Sequence, residues 1–463
     1  MLVYPKLNPL SLKEINITEF TGIDKRWNAD EKTLFHSQNI SAFALPALVT
    51  RNGRKKVFSA PSGERITGIF SFDKAYVTTV LAGVTRLYSG DDLSSLSLIY
   101  KAGTEDTATS LICKAGGNIC LFNTRHEGEG SNMLVAHNGD FTQTERVSTP
   151  HFNDAVIYKN RLFGCGRWRI FASAYNEITN WNMNEERIDI EARAFEKSIK
   201  CESDFTACTT YKGHALFFTA DELYKLGGKD NSNFELVKIA NYGCVNRGAL
   251  CESGGILYFV SKDGIVGYDG SRVWLALDKL CGKETDSTKT ILCGKGKGLY
   301  LNTTTQDGSC LYGFNTEAEG YVREDDFAGS CAVRHNGNVF FADNTDIYKF
   351  DVLYSEDAEG NDVRNLEWQV ITQDICDFLP RNKRSSKLEI GAYMPFDNLI
   401  EVFVSYDGGD YEITHTISGV GYKDVCIPLT RANYNSVRFK LGGLGEAQIY
   451  YMRFACNVGT EEK

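Results

Sequence analysis

From about residue 62 to about residue 350 the sequence repeats one local grammar. A short apolar run meets a turn of glycine, asparagine or aspartate, then a second run, a second turn and a third run. The first units are ITGIFSFDKAYVTTVLAGVTRLYSG, TSLICKAGGNICLFN with NMLVAHNG, and DAVIYKNRLFGCGRWRIFASA. They continue as FTACTTYKGHALFFTADELYKLGG, GALCESGGILYFVSKDGIVGYDG, KTILCGKGKGLYLNTTTQDGSCLYGFN and GSCAVRHNGNVFFADNTDIYKFD. Their spacing of roughly 40 to 50 residues is the period of a four-stranded propeller blade.

Within a unit the first two runs meet at a tight turn: YKN (158–160), YKG (211–213), ESGG (252–255) or HNG (335–337). Such two-residue hairpins need positive φ, which glycine and asparagine accept at little cost. No helical period competes over most of this region. Radial repetition buries both faces of each small sheet and leaves only short edges open. The expectation is therefore an all-β chain whose residues 50–365 form a β-propeller of about seven four-stranded blades. The piece around Leu48 to Phe58 is the candidate for the strand that closes the ring.

Three segments fall outside the pattern. Residues 1–49 read as an extended arm. It carries Leu12, Ile15, Ile17, Phe20, Ile23 and Trp27 with no evident strand partner, so its own propeller or a neighbour must cover them. Residues 175–198, a charged stretch, read as a loop inserted at one rim. From 366 to 463 the texture changes to six alternating runs, KLEIGAYM, LIEVFVSYD, DYEITHTI, KDVCIPL, SVRFKLGG and AQIYYMRFA. They predict a compact antiparallel β-sandwich, set off by the turn-prone stretches EDAEGNDVRN and PRNKRSS.

Composition narrows the function. The formal net charge is −10, and the basic clusters Arg51 to Lys56 and Arg381 to Lys387 are short, so no electrostatic footprint for specific nucleic-acid binding is present. No apolar run approaches the roughly 18 residues that span a bilayer. Pro5 and Pro9 interrupt the N-terminus where an export signal needs an unbroken apolar stretch. The 14 cysteines form no CxxC, and many sit in apolar runs such as NICLFN and FTACTTY, where a thiol acts as a small buried hydrophobe in a reducing compartment. The seven histidines are scattered with no pair at ligand spacing.

Catalytic grammar is missing too: the sequence has no GxSxG, HExxH, P-loop or clean dinucleotide fingerprint. The expectation is no enzyme, no cofactor and no metal. One segment is weighed as a ligand or calcium turn. SYDGGDY, with Asp407 and Asp410, partly matches an Asp-box hairpin but lacks its Thr-Trp ending, and a tight hairpin turn is the simpler reading.

Three segments in order carry a resemblance. They are FNDAVIYKNRLFGCGRWRIFASAYNEITNW, LFFTADELYKLGGKDNSNFELVKIANYGCVNRGA and ILYFVSKDGIVGYDGSRVW. With EFTGIDKR and NISAFALPALVTRNGRK before them and SYDGGDY, CIPL and SVRFKLGGLGEAQI after, they resemble the β-propeller virion proteins of tailed bacteriophages. These include tail hub or nozzle components of short-tailed phages and related prophage proteins of Gram-positive bacteria. The resemblance implies a tail or head–tail connector part, assembled in the host cytoplasm and resident in the virion. It implies binding to other virion proteins, self-association in a ring, and no catalytic residues to carry over. Contacts are then expected from elements the ring does not need for closure: Phe20, Ile23 and Trp27 on the arm, and Trp181 and Arg187 on the insertion. The alternatives are a carbohydrate- or receptor-binding propeller with a lectin-like C-terminal domain and, third, a propeller hydrolase or lyase.

Overall fold

The computed structural model describes residues 11–25, 29–102, 111–123, 131–201, 203–278, 289–305, 308–352, 356–359, 362–376 and 383–458. Apart from four three-residue helical turns, every regular element among them is a strand. Seven four-stranded blades form a propeller, and a curled antiparallel sheet follows. The chain divides into two compact units. One comprises Met1–Lys55, Leu311–Asp326 and Asp351–Lys463; the other comprises Lys56–Cys310 and Phe327–Phe350.

Blade one runs from Arg65–Ser71 to Ser97–Lys101, blade two from Leu111–Ala115 to Thr144–Thr149, and blade three from Asp154–Tyr158 to Phe195–Ser198. Blade four runs from Phe205–Tyr211 to Glu235–Ala240, blade five from Leu250–Ser253 to Val273–Asp278, and blade six from Ile291–Lys295 to Gly320–Asp325. Blade seven takes three strands from Cys331–His335, Asn338–Ala342 and Asp346–Val352, and its fourth, Gly53–Ser59, from the start of the chain. The closing strand thus falls where the sequence placed it.

The tight turns read from sequence all adopt positive φ, at Lys159 and Asn160, Lys212 and Gly213, Gly254 and Gly255, and Asn336 and Gly337. Each joins a pair in register, as Tyr211 opposite His214 does. The same turns latch blade three to four, four to five and five to six. Lys159 Nζ donates to Gly228 O at 2.5 Å, and Lys212 Nζ to Asp269 O at 2.6 Å. Tyr211 Oη donates to Gly255 O at 2.6 Å, and Ser253 Oγ to Gly296 O at 2.8 Å. Aromatic rings fill the space between blades: Phe163, Phe195, Phe205, Phe217 and Phe234 form one cluster between blades three and four. Fully burying one such ring stabilises by about 1.5–3 kcal/mol. Gly164 is needed because a Cβ there would lie 2.2 Å from the Phe152 ring.

The last latch seals the ring between blades seven and one. His335 is buried, with Nδ1 2.9 Å from Ser71 Oγ and Nε2 2.9 Å from Asp91 O.

The insertion occupies residues 173–194, because Phe195–Ser198 is already the fourth strand of blade three. Arg161, only 2% exposed, holds it. Its guanidinium donates to Ser173 O and Arg193 O at 2.7 Å and to Glu191 O at 2.6 Å.

The C-terminal module is one curled antiparallel sheet. Its order is Ser11–Ile17, Gln448–Val458, Lys383–Tyr406, Ser436–Leu444, Glu367–Thr372 and Leu34–Gln38, and Glu412–Pro428 lies on the other side of Lys383–Tyr406. The 24-residue strand Lys383–Tyr406 pairs with Gln448–Val458 along its first half and with Ser436–Leu444 along its second. Register shifts at Ser385/Lys387 and Gly391/Ala392 break the ladder and let the sheet bend. Three arm strands are part of this sheet: Ser11–Ile17 pairs along Met452–Val458, Leu34–Gln38 along Gln369–Thr372, and Leu48–Val49 with Gln448 and Ile449.

His335→Ala removes the seal's only side chain that bonds both Ser71 and Asp91. It is expected to lower unfolding stability by about 1–2 kcal/mol, read as a lower urea midpoint with an unchanged slope.

Candidate functional site

Along Lys383–Tyr406 the side chains alternate: Leu388, Ile390, Ala392 and Met394 are buried, while Lys387, Glu389 and Tyr393 face outward. The strand pairing then sets out the outer face row by row. Tyr422 stands opposite Tyr393, Asp424 opposite Gly391, and Cys426 opposite Glu389. On the other flank Tyr451 stands opposite Gly391 and Arg453 opposite Glu389, with Asn16 beyond Arg453.

Three tyrosines cluster at one end of this face. The Tyr393 and Tyr422 rings are 4.7 Å apart, and Tyr450 is 6.1 Å from Tyr422 with the planes 25° apart. Tyr422 is 77% exposed and Tyr450 37%. Tyr451 lies flat across Gly391, where a Cβ would approach its ring to 2.2 Å, and its hydroxyl reaches Asp424 at 2.6 Å. That bond pushes the Tyr451 hydroxyl up to about 12. Glu389 accepts from Lys387 Nζ at 2.5 Å and from Arg453 Nη1 at 2.8 Å, and Arg453 Nε donates to Asn16 at 2.6 Å. The Lys387 bond, with Arg453 adding to it, holds the Glu389 carboxyl below its usual range. The polar groups are thus satisfied among themselves, while the tyrosine rings remain open.

Beside this face runs an open edge. Among the described residues Glu412–Pro428 has one strand neighbour, Lys383–Tyr406. Only Ile417 and Ile427 on it are buried, while Ile413, Val420 and Tyr422 are more than half exposed. An unpaired edge of this kind is a template for another chain.

The residues singled out from the sequence fall in different places. Phe20 is fully buried, with its N–H donating to Pro46 O at 2.9 Å. Ile23 is 7% exposed, with its N–H donating to Tyr321 O at 2.7 Å. Their apolar surface is covered by this chain and not by a neighbour, because the arm finds strand partners in its own C-terminal sheet. Trp27 lies outside the described residues. Trp181 packs its ring 5.2 Å from Phe152 under the insertion, whereas Arg187 is exposed on it. Asp407 and Gly408 form the positive-φ turn of a hairpin. Asp407 Oδ1 accepts the N–H groups of Asn435 at 2.6 Å and Ser436 at 2.9 Å, so this oxygen organises backbone. Asp410 is exposed beside it. Among the described residues no three His, Cys, Asp or Glu side chains are grouped to share a metal ion.

Sequence reading missed a polar junction at the propeller axis. Arg247, in the turn before blade five, places Nε 3.0 Å from Asp154 on blade three and its guanidinium 5.1 Å from the Phe70 ring on blade one. A side chain rooted before blade five that touches blades one and three lies across the axis. Asp154 also accepts the N–H groups of Cys208 at 2.8 Å and Ala155 at 2.9 Å. Burial raises its carboxyl above the ordinary 3.8, against the pull of Arg247. The only signal in sequence was a charged residue opening an otherwise apolar innermost strand. Several innermost strands also carry cysteines, and burial pushes the thiols of Cys113, Cys293 and Cys331 up to about 12.

A cleft of about 630 Å³ lies in the first unit, lined by His36, Gln38, Arg54, Arg323, Glu367 and Gln369 among others. Next to it the buried Arg51 binds Asp357 through two bonds of 3.0 and 2.8 Å and Asp325 at 2.9 Å. These charges are spent on joining strands.

No family model matches the chain, and no curated protein does. Among solved structures it is similar to a virginiamycin B lyase from Staphylococcus aureus, at 9% identity and TM-score 0.43 over 64% of this chain and 99% of that one. It is also similar to an exo-β-1,3-galactanase from Phanerochaete chrysosporium, at 10% identity and TM-score 0.28 over 87% of this chain and 100% of that one. Likeness at this level says nothing about activity.

Two outcomes are expected. Asp154→Ala removes a buried carboxylate that Arg247 and the N–H groups of Cys208 and Ala155 all bond, and should cost about 3 kcal/mol in denaturant melts. Because the Asp154 carboxyl is raised in the folded state, its ionisation opposes folding as pH climbs above 3.8, and that penalty is absent below. Asp154→Asn should flatten that part of the stability curve. Second, at pH 8 the buried thiols should resist a disulfide reagent until the protein unfolds. Of the described cysteines, Cys426, the exposed one, should react first.

Proposed function

We propose that this chain is a structural, protein-binding component of a larger assembly, a tail or head–tail connector part of a tailed bacteriophage, and not an enzyme. What carries the reading is the tyrosine-lined outer face of the C-terminal sheet beside its open edge. Tyrosine and arginine are the residues that protein interfaces favour at their anchors, and tyrosine buries much area at low entropic cost. Here Tyr393, Tyr422 and Tyr450 stand on a face where Lys387, Glu389 and Arg453 are already paired with one another, so docking there need not desolvate those charges unpaired. Within the propeller, turn-to-turn hydrogen bonds supply rigidity, and Arg247 reaches from the turn before blade five to blades one and three. Other virion proteins are the partners this reading names, with copies of the chain arranged in a ring.

A second reading has one observation in its favour. Tyr422 and Tyr450 are near-parallel rings with Asp424 and Gln448 close by, a composition that also suits a saccharide.

The test replaces Tyr393, Tyr422 and Tyr450 by serine together. The variant should fold, since Tyr422 and Tyr450 are exposed, yet its abundance in purified phage particles should fall at least about tenfold by quantitative mass spectrometry. Full incorporation would remove this face from the account. Loss of binding to cell-wall polysaccharide in affinity gels, with incorporation intact, would favour the saccharide reading.

A further inference from the structure

In blade three the chain reversals alternate between rims. The turn at Arg167 and Trp168 joins Arg161–Gly166 to Arg169–Ala172 at one rim. The 173–194 insertion joins Arg169–Ala172 to Phe195–Ser198 at the other. The two ends of this one sheet differ in chemistry.

The first end is basic and aromatic. Trp168 is 41% exposed and sits between Arg167 and Arg169, whose guanidinium groups lie 5.4 and 5.6 Å from its ring. Arg169 also meets Glu196 at 3.0 Å. The second end is acidic and apolar. Residues 173–194 contain Glu177, Glu185, Glu186, Asp189 and Glu191 against Arg187 and Arg193, five acids to two bases. Ile190 there is 67% exposed and Met183 41%. This end is held in shape. Arg161 fixes three of its carbonyls, and Asn231 of blade four donates its side-chain N–H to Ile190 O at 3.2 Å. Ile190 therefore points out from a braced loop, which reduces the ordering cost of a contact.

We infer that these two ends bind each other between copies: the Arg167–Trp168–Arg169 tip of one molecule docks on the acidic, apolar insertion of the next. The occupant is a second copy of this chain because the charges and apolar groups at the two ends are complementary. Trp168 supplies an aromatic anchor for Ile190 and Met183, and the flanking arginines face Glu186 and Asp189. A contact between two different patches is heterologous, so repeating it gives a closed ring or an open stack, not a two-fold dimer. The inference rests on the assembly reading above and adds a partner and a place.

The experiment uses the full chain and two double variants, Arg167→Ala with Trp168→Ala, and Glu186→Ala with Ile190→Ala. In analytical ultracentrifugation from low to high micromolar protein, the wild type should grow in mass with concentration. Each variant alone should associate at least about tenfold more weakly, as loss of an anchor predicts. An equimolar mixture should regain association but stop at a dimer, since it contains one intact tip and one intact insertion. Thermal melts confirm folding, and Arg167→Gln alone gives a charge-only variant if the alanine pair unfolds. A wild type that stays monomeric, or variants that associate like it, overturn the inference. Either result leaves the tyrosine face standing, because that is read by incorporation into particles.

Discussion

The strand Gly53–Ser59 supplies the fourth strand of blade seven, and the rest of the architecture depends on it. A ring of small sheets has no stable partial form, because an unclosed ring exposes the apolar flanks of its first and last blades. Here those flanks are Ile66, Ile69, Val77 and Tyr88 on one side and Phe340, Ala342 and Ile347 on the other, and they pack into one cluster. Backbone bonds from Ala60 N–H to Thr345 O and from Ile66 N–H to Asn344 O, 2.8 Å each, reinforce the seam, and His335 seals it. Closure from the chain's start also means that the propeller cannot be complete until its last blade has been made.

The same topology places residues before Gly53 with the C-terminal sheet. Ser11–Ile17 and Leu34–Gln38 become strands of that sheet, so the arm's apolar side chains are used internally. What remains open is an outer face where Lys387, Glu389 and Arg453 are paired and the Tyr393, Tyr422 and Tyr450 rings are partly or largely exposed, beside a strand edge with no neighbour among the described residues. A face of that character suits the protein contacts that the proposed function requires.

How much of this was legible follows from range. The blades were readable because their signals are local. Tyr158-Lys159-Asn160 and Tyr211-Lys212-Gly213 each announce a hairpin whose φ values and register the fold bears out. The closing strand was readable because a ring needs closing and the piece around Leu48 to Phe58 is a strand-like segment just before the first repeat. The far end of the insertion was misjudged because Phe195–Ser198 is short and charged, and the Arg161 bonds that hold the loop before it come from a residue far back in the chain. The arm's partners, the Asp154–Arg247 junction and the outer tyrosine face join residues far apart in the chain. No local period reports such contacts. Tyr393 and Tyr422 each looked like ordinary strand aromatics until the register set them side by side.

Hydrogen exchange on the assembled particle, compared with the isolated protein, tests the central claim most directly. If the outer face and its edge are where partners attach, the amides of Glu412–Pro428 that point away from Lys383–Tyr406 should exchange slowly in the particle and fast in isolation. The turns at Lys159, Lys212 and Gly254 should keep the same rates in both. Unchanged exchange along Glu412–Pro428, with protection appearing elsewhere, would contradict the account.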